Sequence, residues 1–281
     1  MNNFKSGFVS IVGKTNVGKS TLLNALVGEK IAIMANKAQT TRTAIRGIVN
    51  RTNAQIIFID TPGIHKPKTK LNEIMVNTAY DNMHNVDVVL LLIDATKDTV
   101  GKAETIIIEK LKEAKAKNVI LVINKIDLIE KTKLLSLMDT YSKLYDFKEI
   151  IPISALKKDG VEKILSSIES LLPTGPAYYD IEEYTDQTMR QLVEEIIREK
   201  ALRFLDQEVP HGIYVEVEKY EQRRTKNDED IYDIDATIYC LRNSHKGIII
   251  GKNGTMLKKI GQSVRFELEK MIDTKVNLQL W

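Results

Sequence analysis

The chain has 281 residues and a formal net charge of +3, long for one domain and comfortable for two; 43% hydrophobic and 28% charged residues are ordinary for a soluble globular protein. A single cysteine, Cys240, excludes a disulfide framework or a cysteine-based metal site and reads as a small buried hydrophobe. No charged-then-apolar leader opens the sequence and no apolar run nears the ~18 residues of a membrane span, so a cytoplasmic protein is expected.

Phe8-Val9-Ser10-Ile11-Val12 is short and β-prone, and Thr21 to Leu26 has helical spacing without a breaker. Between them, Gly13-Lys14-Thr15-Asn16-Val17-Gly18-Lys19-Ser20 fits the pattern G-x-x-x-x-G-K-[ST]. Strand, glycine-rich loop and helix together form the context of a phosphate-binding loop. Its backbone N–H groups converge on an anion, reinforced by the helix start near Thr21. Lys19 is expected to reach the outer phosphates, and the Ser20 hydroxyl to ligate magnesium.

Gly28 to Arg42 is polar and includes Gln39-Thr40-Thr41-Arg42. Two strands, Ala44 to Asn50 and Gln55 to Ile59, are expected to form a hairpin about Arg51-Thr52-Asn53. The second ends in Asp60-Thr61-Pro62-Gly63, where an acidic residue at a buried strand end would anchor magnesium through water. Ile64 to Asn85 begins Lys-rich and turns helical. Val86 to Asp94 and Val119 to Ile123 are continuous apolar runs, as in strands buried on both faces. Helices are expected over Lys102 to Lys117, Thr132 to Tyr145 and Val161 to Leu171, with a last strand at Glu149 to Ile153. This alternation predicts an α/β fold, a six-stranded doubly wound sheet whose ligands bind at the carboxyl ends of its strands.

At that edge stand Asn124-Lys125-Ile126-Asp127 and Ser154-Ala155-Leu156. The Asp127 carboxylate can accept from the N1–H and N2–H₂ of guanine. Adenine lacks both donors there and would leave the carboxylate unpaired, at a cost of about 1–3 kcal/mol or more. Lys125 can lie along the base, Asn124 can tie neighbouring loops, and Ser154-Ala155 would aim a backbone N–H at guanine O6. GTP and GDP are therefore the expected ligands.

Leu172-Pro173-Thr174-Gly175-Pro176-Ala177 punctuates the chain. Residues 1–172 are read as one domain, 173–180 as a linker and 181–281 as a second, smaller α+β domain. Thr188 to Val209 reads as an amphipathic helix, Gly212 to Lys219 as a half-exposed strand, Glu221 to Asp230 as a solvated hairpin tip and Ile231 to Arg242 as the partner strand. Then Lys246-Gly247-Ile248-Ile249-Ile250-Gly251-Lys252-Asn253-Gly254 leads into a helix over Thr255 to Met271, and Val276 to Trp281 alternates as a final strand. The acidic balance of residues 181–281, 16 basic against 19 acidic, makes the eight basic residues against three acidic between Arg242 and Lys275 a local positive strip. Glycines at the Gly251–Gly254 turn would let a nucleic-acid backbone approach, with Lys246, Lys252, Lys258 and Lys259 around it and Ile250 and Asn253 beside it.

The first half resembles a translation-factor-type GTPase domain, and Gln39 to Arg42 with Asp60-Thr61-Pro62-Gly63-Ile64-His65 is similar to the Era family; the second half resembles a KH domain of the bacterial type II topology. The resemblance covers essentially the whole chain, with Thr15 where many relatives have proline and Asn72 where glycine is common. It implies that Thr41 ligates magnesium when the γ-phosphate is present, and that hydrolysis is slow, because Ile64 stands where Ras-like enzymes place a water-orienting glutamine. It further implies that Asn16 holds a potassium ion in the position of an arginine finger, making Asn16, Lys19 and Thr41 the catalytic set. His65 reads as a solvent-facing loop residue. The implied partners are the 3′ end of small-subunit ribosomal RNA and the 30S subunit, for a monomeric GTP-driven switch in ribosome assembly. The competing reading is a signalling switch whose basic strip meets anionic lipid peripherally, on the inner face of the cell membrane. Relatives often continue a little past Trp281.

Overall fold

A computed structural model describes residues 4–32, 45–60, 85–97, 99–205 and 209–281. They fall into two compact units, the first closing at Asp186 and the second running from Gln187 to Trp281.

In the first unit, β1 (Lys5–Gly13) leads to α1 (Lys19–Val27), and β2 (Ile45–Asn50) turns into β3 (Ala54–Asp60). There follow β4 (Val88–Asp94), α2 (Lys102–Glu113), β5 (Val119–Asn124), α3 (Lys131–Ser142), β6 (Glu149–Ile153) and α4 (Val161–Leu171). The described strands form one sheet in the order β2-β3-β1-β4-β5-β6, mixed because only the β2–β3 hairpin is antiparallel. Side chains along β4 alternate between two cores. Leu90 and Leu92 face the side covered by Leu22 and Leu26 of α1 and Ile164 and Ile168 of α4, and Leu91 and Ile93 face Ile107 and Leu111 of α2 with Leu137 of α3. Helices on both faces explain why β4 and β5 need unbroken apolar runs. They also bring the carboxyl ends of β1, β3, β5 and β6 to one edge.

The segment expected as a linker belongs to the first unit. Ser6 N–H donates to Pro173 O at 3.1 Å, and Gly175 N–H to Phe4 O at 3.0 Å. The Gln55 amide is buried and fully used: Nε2 donates to Asn50 Oδ1 at 2.7 Å and Tyr179 O at 2.8 Å, and Oε1 accepts from Tyr178 N and Tyr179 N at 2.6 and 2.9 Å. Ile48 N–H then donates to Tyr184 O at 2.9 Å, and Arg46 pairs with Asp186 at 2.9 Å. Residues 173–186 thus form a strap along the open edge of β2, supplying backbone partners that an edge strand otherwise lacks. The division between units lies at 186/187, later than the expected 172 to 180.

The second unit runs α5 (Met189–Phe204), β7 (Ile213–Arg224), β8 (Asp230–Cys240), α6 (Asn243–Ile250), α7 (Thr255–Ile272) and β9 (Lys275–Leu280). α5 starts on a capping box, with Gln191 N–H donating to Thr188 Oγ1 and Thr188 N–H to Gln191 Oε1. It ends five residues short of the expected Val209. β7 runs past the expected Lys219 to Arg224, and β8 is shifted to Asp230–Cys240: pairing runs out to Arg224↔Asp230, so half of the charged stretch read as a hairpin tip is strand. Sheet order is β7-β8-β9, β7–β8 antiparallel and β8–β9 parallel. Its inner face packs on α5 and α7 through Val215, Val217, Ile234 and Ala236 against Ile196, Ile260 and Val264. Cys240 is half-buried at the margin of this core.

Candidate functional site

The phosphate loop leaves β1 at Gly13 and enters α1 at Lys19. Two left-handed residues shape it, Asn16 at φ 64° and Gly18 at φ 103°. Gly18 is required twice over, because a Cβ there would also stand 2.3 Å from Asn124 Nδ2. Lys19 is buried, and its Nζ donates to the carbonyls of Gly13 at 3.2 Å and Lys14 at 3.1 Å, which holds the ammonium over the loop. Burial pulls its pKa below the ordinary lysine value, with the nearby Asp60 carboxylate opposing. Lys14 is exposed, Val17 packs into the core beneath the loop, and Thr15 and Thr21 are half-buried.

At the end of β3, Asp60 is fully buried and accepts from Ser20 Oγ at 2.9 Å. A hydroxyl and a carboxylate meeting beside a phosphate loop are hard oxygen donors of the kind magnesium takes, so these residues fit that ion. Thr41, Thr61, Pro62, Gly63 and Ile64, with His65 and Asn72, lie outside the described residues.

The base-recognition corner is organised by Asn124, buried at the end of β5. Its Nδ2 donates to Val17 O at 2.8 Å, and its Oδ1 accepts from Lys125 N at 2.8 Å and from Ala155 N at 3.0 Å. One side chain therefore ties the phosphate loop to the loops after β5 and β6, as its place in the sequence suggested. Lys125 adds a second tie: Nζ donates to Asn16 O at 3.0 Å and pairs with Asp94 at 2.6 Å. Burial pushes the Asp94 carboxyl up, but hydrogen bonds from Lys125 and Thr96 outweigh it and hold the carboxylate below its usual range. Asp94, at the end of β4, was missed by motif reading. Its signal was a carboxylate closing the apolar Val86 to Asp94 run at the same sheet edge.

Asp127 sits half-buried in a single 3-10 turn, Ile126–Leu128, and among the described residues its carboxylate has no hydrogen-bond partner. Such a carboxylate suits a ligand with two adjacent donors. The third loop differs from expectation in one respect. The Ala155 N–H is occupied by Asn124, whereas the Leu156 N–H donates to no acceptor among the described residues and its residue is 79% exposed. Ser154 stabilises its own turn, with Oγ accepting from Lys157 N at 3.3 Å. A cavity of about 1030 Å³ lies elsewhere, at the amino ends of β1 and β3 between Arg51, Glu162 and Tyr179. Cavity volume does not locate the chemistry here.

In the second unit, Gly251 to Gly254 joins α6 to α7, with Gly251, Asn253 and Gly254 at φ 74°, 52° and 75°. A Cβ on Gly254 would meet nothing within 4 Å, so the outer side of the turn is open to a ligand backbone. Lys246, Lys252, Lys258, Asn253 and Ile250 are exposed, and among the described residues none of these three lysines is ion-paired. Lys259 lies over the Phe204 ring, 4.5 Å from its centroid. Beside the turn a groove of about 430 Å³ runs between α7 and β9, floored by Leu257, Leu278 and Leu280 and flanked by Lys258 and Arg265. An apolar floor with basic margins fits unpaired bases whose phosphates follow the turn.

Comparison with known proteins agrees with both units. A family model described as a 50S ribosome-binding GTPase matches residues 8–125, and a KH domain model matches residues 208–281. The GTPase Era of Ruminiclostridium cellulolyticum is 53% identical over 279 residues, covering 99% of this chain and 92% of that protein. The GTPase Era of Clostridioides difficile is 50% identical over 279 residues, with the same coverage of 99% and 92%. Among solved structures, Era in complex with MgGDPNP and nucleotides 1506–1542 of 16S ribosomal RNA matches with a TM-score of 0.92 at 41% identity, over 99% of this chain and 93% of that one. An Aquifex aeolicus Era variant bound to GDP and AlF4⁻ matches with a TM-score of 0.91, also at 41% identity.

Proposed function

The chain belongs to the Era family of GTPases, and from that membership we propose that it is a GTP-driven switch that binds the 3′ end of small-subunit ribosomal RNA and assists assembly of the 30S subunit. The observation that carries this reading is the coexistence of two recognition sites in one chain. One is the partnerless Asp127 carboxylate set beside the phosphate loop by Asn124, and the other is the open turn at Gly254 among unpaired lysines.

At the nucleotide, loop amides and the Lys19 ammonium hold the outer phosphates and offset the charge that develops on them during hydrolysis. Ser20 and Asp60, with Thr41 by resemblance, are the residues that would hold magnesium, which when bound would neutralise phosphate charge. Ile64 offers no hydrogen bond to an attacking water. Unaided hydrolysis is therefore slow, and the switch segments around Thr41 and Gly63 have time to report the γ-phosphate. We assign Asn16, whose backbone is held left-handed and tied to Lys125, as a potassium ligand that supplies the charge an arginine finger would bring. Equal turnover in sodium and potassium chloride at matched ionic strength would remove that assignment.

The RNA reading is tested by filter binding of a 16S 3′-end RNA and, separately, of anionic vesicles, each with a GTP analogue and with GDP. RNA affinity should depend on the nucleotide and fall in Gly254→Asp while GTP binding stays intact; unchanged RNA affinity in that variant refutes it. Binding of vesicles in place of RNA would favour the peripheral-membrane reading. Among the described residues no helix is long and apolar enough to cross a membrane. We place the protein in the cytoplasm as a monomer, to be checked by cell fractionation and sedimentation velocity.

A further inference from the structure

The outer face of the second unit's sheet is chemically the inverse of its lysine-bearing turn. Ile213, Val215 and Val217 on β7 are buried, so Tyr214, Glu216 and Glu218 face solvent. Tyr214 pairs across to Tyr239 on β8 with ring centroids 6.0 Å apart, and the two remain 58% and 46% exposed. Leu241, next in the β8 alternation, is 83% exposed. Trp281 continues the outward series Lys275, Asn277, Gln279 of β9; its N–H donates to Ala236 O, its carbonyl accepts from Ile238 N, and it is 69% exposed. Single exposed apolar residues are commonplace, but a tyrosine pair with an exposed leucine and tryptophan on the same sheet face marks a contact surface.

On β7 the side chains that alternate with the patch are acidic, Glu216 and Glu218. Further out along the hairpin the carboxylates are neutralised: Asp233 by Arg223 at 2.7 Å, Asp228 by Arg224 at 3.0 Å, Glu229 by Lys275 at 2.7 Å. That pairing stops where the aromatics begin. Among the described residues neither Glu216 nor Glu218 has a cationic partner: Glu216 is hydrogen-bonded by Tyr239, and Glu218 accepts from the Thr237 hydroxyl at 2.6 Å. The guanidinium of Arg190, at the sheet margin, is taken up by the carbonyls of Val217 and Glu218.

We propose that this sheet face, Tyr214, Tyr239, Leu241 and Trp281 with Glu216 and Glu218, docks an arginine-rich segment of a partner protein. A guanidinium meets both features at once, lying on an aromatic ring while donating to a carboxylate. A phosphate backbone meets neither, since uncompensated carboxylates repel it. The inference does not rest on the RNA reading of the opposite face.

The 281-residue chain provides its own reporter, because Trp281 is its only tryptophan. Titration with a synthetic peptide of repeated Arg-Gly-Leu triplets should change Trp281 emission saturably. Reversing both charges, with Glu216→Lys and Glu218→Lys, should weaken peptide binding by at least about tenfold. Tyr214→Ala with Tyr239→Ala should weaken it comparably, while Tyr214→Phe with Tyr239→Phe, which keeps the rings, should bind as wild type and so separate lost contact from lost folding. GTP binding should be unchanged throughout. The proposal is overturned if the peptide fails to bind, or if the charge-reversed variant binds like wild type. It is equally overturned if single-stranded RNA titrates Trp281 and weakens in the double alanine variant, which would make the face a nucleic-acid platform.

Discussion

Removing the Asn124 side chain should do more damage at the nucleotide site than its distance from the phosphates suggests. In Asn124→Ala three hydrogen bonds disappear, to Val17 O, Lys125 N and Ala155 N. The bonds to Val17 O and Ala155 N are buried, and a buried group left without a partner costs about 1–3 kcal/mol. The two together come to about 2–6 kcal/mol, divided between the stability of the nucleotide-free protein and the affinity for guanine nucleotide. Even ~1.4 kcal/mol of that appearing in binding is a tenfold weaker Kd. Asn124→Asp refines the test, since it keeps acceptors for Lys125 N and Ala155 N but sets a carboxylate oxygen against the Val17 carbonyl. It should uncouple the phosphate loop from the base loop while leaving the β5 and β6 loops joined. Titration of fluorescent GDP, together with urea unfolding of the nucleotide-free protein, reads both shares. If Asn124→Ala binds GDP within twofold of wild type and unfolds at the same urea concentration, the tie is not what holds the site together.

Gly18→Ala should abolish nucleotide binding as measured by GDP titration, because the new methyl group would collide with Asn124 Nδ2 at a backbone angle that L-residues avoid. Lys252→Ala and Lys258→Ala should each lower the slope of log K against log salt for single-stranded RNA by about 0.7, and an unchanged slope would take that lysine off the phosphate path. Burial holds the Lys19 pKa below its ordinary value, so the unfolded chain binds that proton more tightly. Stability of the nucleotide-free protein should then rise with pH from the folded-state pKa toward the ordinary lysine value, and urea unfolding of Lys19→Met should lack that rise. Asp94 gives the same direction, stability rising with pH, but in the acid range. Its carboxyl is held low by Lys125 and Thr96, so its contribution is full above the ordinary carboxylate pKa and disappears as pH falls through the folded value. Asp94→Asn should flatten that acid limb of the stability curve.

The phosphate and guanine motifs were legible because each is contiguous: a phosphate is held by successive backbone groups, so the residues that shape the loop are neighbours in sequence. β6 and α4 were read to the residue, at Glu149–Ile153 and Val161–Leu171; α4 has a clean helical period and Gly160 at its border. The strap was misread for the complementary reason. Pro173, Gly175 and Pro176 announce irregular backbone but do not say what it binds, and its partners on β1, β2 and β3 lie more than a hundred residues away. One residue did carry a trace of it. Gln55 stands in an otherwise apolar strand, and a buried amide needs four partners; β2 supplies one through Asn50, so three had to come from chain not yet placed.

The same reasoning separates the two faces of the second unit. The Gly251–Gly254 turn is a local object and could be read as a ligand-facing turn before any fold was known. The aromatic and acidic face is assembled from residues distant in sequence, Tyr214 opposite Tyr239 on the neighbouring strand and Trp281 at the end of a third. Alternation alone marked Gly212 to Lys219 as a half-exposed strand, but reading the hairpin beyond as a solvated tip hid the decisive contrast. Only the register shows that carboxylates are paired with arginine and lysine along the distal half and have no cationic partner beside the rings. Had solubility been the only demand on this face, the neutralising pattern could have continued to the end of the strands. Its interruption at the aromatic residues is what turns an exposed sheet into a surface with a preferred partner.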